Sequence, residues 1–372
     1  MTFPPYAPGS VALHLVGRAP LPHPAEQAFE AMLDGWRNQQ LARGLSFSTI
    51  DARQKAVRRF HAHSNEWPWL WTPVLADEWF TDLRVVRRIS HSTLRSLQST
   101  LRQFCWFITD PAYGWSAECE RLFDTHPIQI CNEYNTAAHV TEVESRPSKR
   151  AFTLDELEAF FDHADKQVEA SRARGRKGSL PAYRDAVLFK VAYGWGLRRN
   201  EVRMLDVVDF GLNPKAAEFG RFGVCYVRHG KAMRGAPPKR RSVLTVWDWT
   251  AEVVEEWISD VRTHYPTADQ PALFPSERSP RICLSQLNRT FAAYRSELGL
   301  DPGLDFHSLR RSYVTHLIES GFDALFVQQQ VGHEHASTTS LYTCVSSDYR
   351  TRTLRRALDK TLAGVATVER EA

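Results

Sequence analysis

The sequence predicts a mainly α-helical protein in two parts. An N-terminal helical bundle is followed by a mixed α/β domain that is mostly helix with a small β-sheet. Three observations carry this expectation. Apolar residues recur at helical spacing through residues 25–108. A polar, aperiodic stretch at 131–150, ending ESRPSKR, separates the two parts. Apolar and β-branched residues alternate in two short runs, 222–227 and 242–246.

Composition narrows the class. A chain of 372 residues holds two or three domains, each with its own core. A hydrophobic fraction of 43% with eleven tryptophans excludes an intrinsically disordered protein. Net charge is +4, unevenly spread: residues 228–241 hold six Lys/Arg and no carboxylate, and residues 172–177 hold four more. Such clusters point to polyanion contact or to solvated loops. Six cysteines (Cys105, Cys119, Cys131, Cys225, Cys283, Cys344) form no C-x-x-C pair, which fits reduced thiols of a cytoplasmic protein. No apolar run reaches transmembrane length. The proline-rich N-terminus lacks the basic start and apolar core of a signal peptide. The expected organisation is a flexible arm at 1–24, a helical domain at 25–130, a linker at 131–150, a second domain at 151–348 and a tail helix at 349–372.

In the first domain, Phe29, Met32, Leu33 and Trp36 define a helix over 25–43 that Gly44 stops. A second helix starts at Ser46 or Ser48 and runs to His63, with Ile50, Val57 and Phe60 inward and Arg53, Lys55, Arg58 and Arg59 outward. Trp67, Trp69 and Trp71 mark a connector and are expected to fill core rather than stack on bases. Helices over 74–85 and 90–108 follow; the latter turns Leu94, Leu97, Leu101 and Phe104 inward, with Arg95 and Arg102 on a common face. Four helices with basic faces suit a bundle that clasps double-stranded DNA through its phosphates. A protein-interaction domain has the same patterning. His61, His63 and His91 lack cysteine or acidic partners at ligand spacing, so no metal is expected there.

The second domain opens with a capping box, Thr153 to Glu156, before Leu157, Phe160 and Phe161. A basic loop over 175–181 leads to an apolar helix over 183–195, which delivers the chain to Arg198. The two alternating runs read as strands joined by RHGKAMRGAPPKRR, in which Arg234, Lys239, Arg240 and Arg241 are candidate DNA contacts. Helices over 247–265 and 285–298 flank a loop. Residues 305–345 then read as three short helices. Asp305 caps the first, whose stripe is Phe306, Leu309, Tyr313 and Leu317; the second runs from Asp323 to Gly332; the third, 338–345, carries Tyr342. His307 and Arg310, three apart, share one helix face. His333 follows a glycine stop, and Tyr342 lies nine residues further on.

His307-Ser308-Leu309-Arg310, Gly332-His333 and Tyr342 resemble the C-terminal signature of the tyrosine recombinases, the phage integrase family. Gly196-Leu197-Arg198-Arg199-Asn200-Glu201 resembles that family's G-L-R-x-x-E box, and Gly230-Lys231 its β-hairpin lysine. The resemblance covers roughly residues 152–350. It implies a core-binding (SAM-like) bundle ahead of a recombinase catalytic domain, with Arg198, Lys231, His307, Arg310, His333 and Tyr342 catalytic and Glu201 supporting. The loop after Gly230 is longer than the family's usual turn, which leaves Lys239 as a second candidate for the lysine; Lys231 is preferred because a Gly-Lys pair directly following a strand is the form of that family.

The implied activity is site-specific DNA recombination or integration, as for a mobile element, within a homo-tetramer on two DNA sites. A tyrosine conserves the phosphodiester energy in a 3′-phosphotyrosyl link. Arg198 and Arg310 would hold the charge of the pentacoordinate transition state, since forked guanidiniums bind phosphate in a bidentate way. His333 would add a hydrogen bond, His307 would accept a proton or orient, and the lysine would protonate the leaving 5′-oxygen. Two arginines and a lysine supply the positive charge, so no metal or cofactor is expected. The tail helix, with Leu354, Leu358 and Leu362 at helical spacing, would pack on its own domain or dock on a neighbouring subunit. The alternatives are type IB topoisomerase-like relaxation, which the N-terminal bundle and candidate exchange helix weigh against, and a catalytically retired DNA-binding accessory protein, which the complete residue set weighs against.

Overall fold

The computed structural model describes residues 7–11, 23–138, 149–173, 178–230 and 236–332. The chain divides into two compact units, Met1–Val143 with Ala232–Pro237, and Glu144–Lys231 with Pro238–Ala372. Among the described residues, no helix is long and apolar enough to cross a membrane.

The first unit is a helical bundle. Helix α1 (Pro24–Ala42) buries Phe29, Met32, Leu33 and Trp36, the expected stripe. Helix α2 (Phe47–Ser64) starts where Ser46 Oγ accepts the Thr49 N–H and buries Ile50, Val57 and Phe60. Thr72 caps α3 (Pro73–Thr81), which continues into one wide turn at Asp82–Val86 that buries Leu83. Ser90 caps α4 (His91–Thr109), with Leu94, Leu101 and Phe104 buried. Of the connector tryptophans Trp69 and Trp71 are core and Trp67 is partly buried, whereas Trp106 on α4 is exposed; Phe60 lies edge-on to Trp71 at 4.8 Å, and Trp36 to Phe104 at 5.2 Å.

Two expected boundaries move. The first is the arm at 1–24. Gly9 O accepts the Trp115 Nε1–H at 3.0 Å, from a further helix α5 (Trp115–Phe123), and a Cβ at Gly9 would come within 2.4 Å of Gly35 O. Residues 7–11 are therefore packed on the bundle, not a free arm. The second is the linker start at 131. Cys131 is buried, Asn135 Nδ2 donates to Ile130 O, and Ala137 N–H donates to Gln98 Oε1. The bundle thus holds its chain to at least residue 137.

The second unit begins by Arg150, whose guanidinium grips Glu156 through two hydrogen bonds and Asp301 through a third. The Thr153–Glu156 capping box forms as expected and opens α6 (Leu154–Ala173). Helix α7 (Ser179–Gly194) is buried on nearly every side, so its run of apolar residues shows no stripe. The chain then turns into α8 (Arg199–Arg203). A three-stranded antiparallel sheet follows, β1 (Phe210–Gly211), β2 (Val224–Val227) and β3 (Arg241–Leu244), in that order, with Val224 opposite Leu244 and Val227 opposite Arg241. Helices α9 (Asp248–Glu256), α10 (Leu284–Glu297), α11 (Phe306–Glu319) and α12 (Ala324–Val331) complete the described part. Rings from four helices make its centre, with Phe160 5.3 Å from Phe189 and 5.0 Å from Phe291, and Phe189 6.0 Å from Phe306.

Candidate active site

Three chain segments meet around one buried carboxylate. The first leaves α7 through Gly196, whose φ is +56° and where a Cβ would lie 2.6 Å from the Tyr313 ring. Only glycine accepts both conditions. Arg198 is then the N-cap of α8, and Glu201 reaches back to it: Oε2 accepts the Arg198 backbone N–H and Oε1 accepts Nη1, both at 2.8 Å. The second segment is α11. Asp305 caps it by accepting the Ser308 N–H at 3.1 Å, which sets His307 in the first turn and Arg310 one turn on. Arg310 is 1% exposed. Its Nη1 donates to Gly196 O at 2.7 Å and stands 3.7 Å from Glu201 Oε2, while Nη2 donates to Val331 O. The third is β3, whose Arg241 clamps Glu201 with Nη1 to Oε1 at 2.9 Å and Nη2 to Oε2 at 2.8 Å.

Glu201 is 2% exposed. Burial pushes its carboxyl up, but the Arg241 hydrogen bonds and the charges of Arg241, Arg310 and Arg198 outweigh that and hold it at about 2. Three guanidiniums thus share one ionised carboxylate. His307 is affected the opposite way: burial, then the charges of Arg310 and Arg311, lower it to about 4. Its imidazole is neutral at pH 7 and able to accept a proton. Both Arg198 and His307 line a cleft of about 550 Å³, with Lys149, Arg199, Arg295 and Asp305 around it. Such a wall suits an anion.

Residues 150–348 match the family model described as the phage integrase family. The chain belongs to that family. Among its relatives, tyrosine recombinase XerC of Salmonella typhi is 33% identical over 224 residues, covering 53% of this chain and 69% of XerC. XerC of Chromohalobacter salexigens is 30% identical over 222 residues, 60% of this chain and 62% of that protein. Two solved structures share the fold. XerH bound to a palindromic difH substrate in a post-cleavage complex has a TM-score of 0.60 at 19% identity, covering 90% of this chain and 84% of XerH. A lambda integrase dimer bound to a COC′ core site has a TM-score of 0.56 at 15% identity, covering 89% of this chain and 83% of that one.

In this integrase-family chain, Arg198, Glu201, His307 and Arg310 come together, while Lys231, Arg234, His333 and Tyr342 lie outside the described residues, as do the 338–345 helix and the tail at 349–372. The approach to His333 is nevertheless fixed. Arg241 Nε donates to Gln330 O at 3.1 Å, Arg310 holds Val331 O, and Gly332 ends α12 with φ +63°. At the hairpin, Gly230 N–H donates to Lys239 O at 3.0 Å. Lys239 therefore stands at the closed base of the loop, against Gly230.

Arg241 is a correction. Expected as a DNA contact of the basic loop, it is turned inward on the buried face of β3, since Glu201 and Gln330 O take its donors. Strand alternation could have shown this, because Arg241 and the buried Val243 share a face. Lys239 and Arg240 are exposed. In the first unit Lys55 and Arg59 are exposed and Arg95 is half-buried. Arg58 is held by both oxygens of Glu30, Arg53 Nη1 donates to Gln40 Oε1 at 2.9 Å, and Arg102 lies over the Trp106 ring at 5.5 Å. Sequence patterning also passes over Gln330. Its buried amide donates to Leu244 O and Tyr313 OH and accepts the Leu244 N–H.

Proposed function

We propose that this tyrosine-type recombinase cuts and rejoins double-stranded DNA at specific sites through Tyr342. The phenolic oxygen attacks the scissile phosphorus, the P–O5′ bond breaks, and a 3′-phosphotyrosine forms; attack by a 5′-hydroxyl on that link reverses the step. Arg198 and Arg310 bind the non-bridging oxygens, where charge builds in the transition state. Neutral His307 accepts or orients a proton, and His333 donates to the phosphate. Lys231, with Lys239 as its alternative, protonates the leaving 5′-oxygen. The observation that carries this reading is the cluster itself: two arginines and a neutral histidine, from segments over a hundred residues apart in sequence, gathered beside one ionised glutamate.

The bundle's exposed Lys55 and Arg59, with Lys239 and Arg240, are proposed to contact DNA phosphates. Assembly as a tetramer on two sites, service to a mobile element, and a cytoplasmic setting complete the proposal; the free thiols of Cys105, Cys119, Cys131, Cys225 and Cys283 support the last.

The test uses a nicked DNA that traps the covalent link. Tyr342→Phe should bind DNA like the parent and form no covalent complex. A Phe variant that still becomes attached to DNA would remove Tyr342 as the nucleophile.

A further inference from the structure

We propose that Arg241 is a positioning residue for strand cleavage, which saturates Glu201 and so keeps Arg310 from being drawn to that carboxylate. The inference rests on the phosphate-binding role proposed above for Arg310.

A carboxylate accepts about four hydrogen bonds. Those of Glu201 are taken as two pairs: Oε1 accepts from Arg198 Nη1 and Arg241 Nη1, and Oε2 from the Arg198 backbone N–H and Arg241 Nη2. Arg310 is the next nearest cation. It stands 3.7 Å from Oε2, beyond hydrogen-bond distance, and is held instead by the carbonyls of Gly196 and Val331. Without Arg241, one acceptor position on each oxygen reopens in a buried, low-dielectric setting. The Arg310 fork is then drawn toward Glu201 and away from the phosphate.

Arg241 has a second hold on the site. Its Nε donates to Gln330 O, and a Cβ at Gly332 would lie 2.9 Å from its Cδ. One side chain therefore ties the strand, the Arg198 box and the segment leading to His333. A lysine has no fork and cannot make all three bonds.

The test is single-turnover covalent trapping on nicked DNA with the full chain at saturating protein, alongside DNA affinity at several salt concentrations. Arg241→Gln should cleave about 10²-fold more slowly, as for a reacting group displaced by an ångström, with affinity and salt dependence unchanged. Arg241→Lys should recover part of the rate, and it carries the same test should Arg241→Gln melt too low to study. Adding Glu201→Gln to Arg241→Gln should give a protein no slower than Arg241→Gln alone, because a neutral amide does not compete for Arg310. Cleavage at the parental rate would overturn the inference. So would a weaker affinity whose salt slope drops by about one, the mark of a direct phosphate contact, or losses that multiply in the double variant. A parent protein that forms no covalent link would fell the recombinase reading itself; a linking parent matched by Arg241→Gln would fell this inference alone.

Discussion

His307 is half-buried beside two arginines, and that position gives it a pH signature. The unfolded chain takes up a proton on this imidazole near 6.5, whereas the folded site holds it to about 4. Between those values the unfolded state binds more protons, so stability rises with pH. The contribution is complete above 6.5 and is lost as pH falls toward 4. His316 shifts in the same direction, through burial, with Nε2 against Phe152 O and Nδ1 against Tyr193 OH, both at 3.0 Å. Denaturant titrations of the parent should therefore show lower stability at pH 5 than at pH 8, and His307→Gln should flatten that difference. An unchanged slope in the variant would mean that His307 takes up its proton equally in both states. Glu201 does not confuse this window, since its own loss runs from 4.5 down to about 2.

At the scale of elements, Gln330 joins α12 to the sheet, beside the bond from Arg241 to its carbonyl. Gln330 pairs with both the N–H and the carbonyl of Leu244, as a neighbouring strand would, and also donates to Tyr313 OH. Gln330→Leu keeps the volume but removes the partner of the buried Tyr313 hydroxyl, at about 1–3 kcal/mol, together with both bonds to the Leu244 backbone. Urea titration should show a lower midpoint at an unchanged slope; a parental midpoint would show that water or backbone movement replaces the amide. This kind of link explains what could be read from the sequence. The stripe of Phe29, Met32, Leu33 and Trp36, the box at Thr153 and Glu156, and the Asp305 cap announce themselves because their partners lie within a few residues. Helix α5 and strand β1 do not. Trp115 is fixed by Gly9, and Phe210 by its pairing with Cys225, so their causes lie far along the chain. The site divides the same way. Arg198 and Glu201 belong to one turn and were legible together, whereas Arg241 reads as one more charge in a basic run until the strand register turns it inward.

For the whole molecule, the two units set an expectation for limited proteolysis. Ala137 is tied to Gln98 on one side, and Lys149 Nζ to Asp305 Oδ2 at 2.6 Å on the other. Cleavage in native buffer should therefore fall between residues 138 and 149 and leave two fragments of lasting resistance. Bound DNA should slow it if both units grip one duplex. Mass spectrometry of the fragments decides the matter, and first cuts within α1 to α4 or α6 to α11 would refute the division. A polar stretch ahead of residue 150 is legible in the sequence because composition changes there, while the compact units divide between Val143 and Glu144. The true end of the bundle is not legible, because the polar residues after Cys131 satisfy one another and Gln98 instead of forming an apolar stripe.

The hydrogen bond from Gly230 to Lys239 also bears on how this protein can vary. It closes the loop at its root, and a Cβ at Gly230 would press within 2.5 Å of the Lys239 carbonyl. Lengthening a loop beyond such a closure costs only about 0.6 kcal/mol per doubling. Insertions within this loop would thus leave Gly230 and Lys239 joined where they stand. Loop length should therefore vary among related chains at little cost to stability.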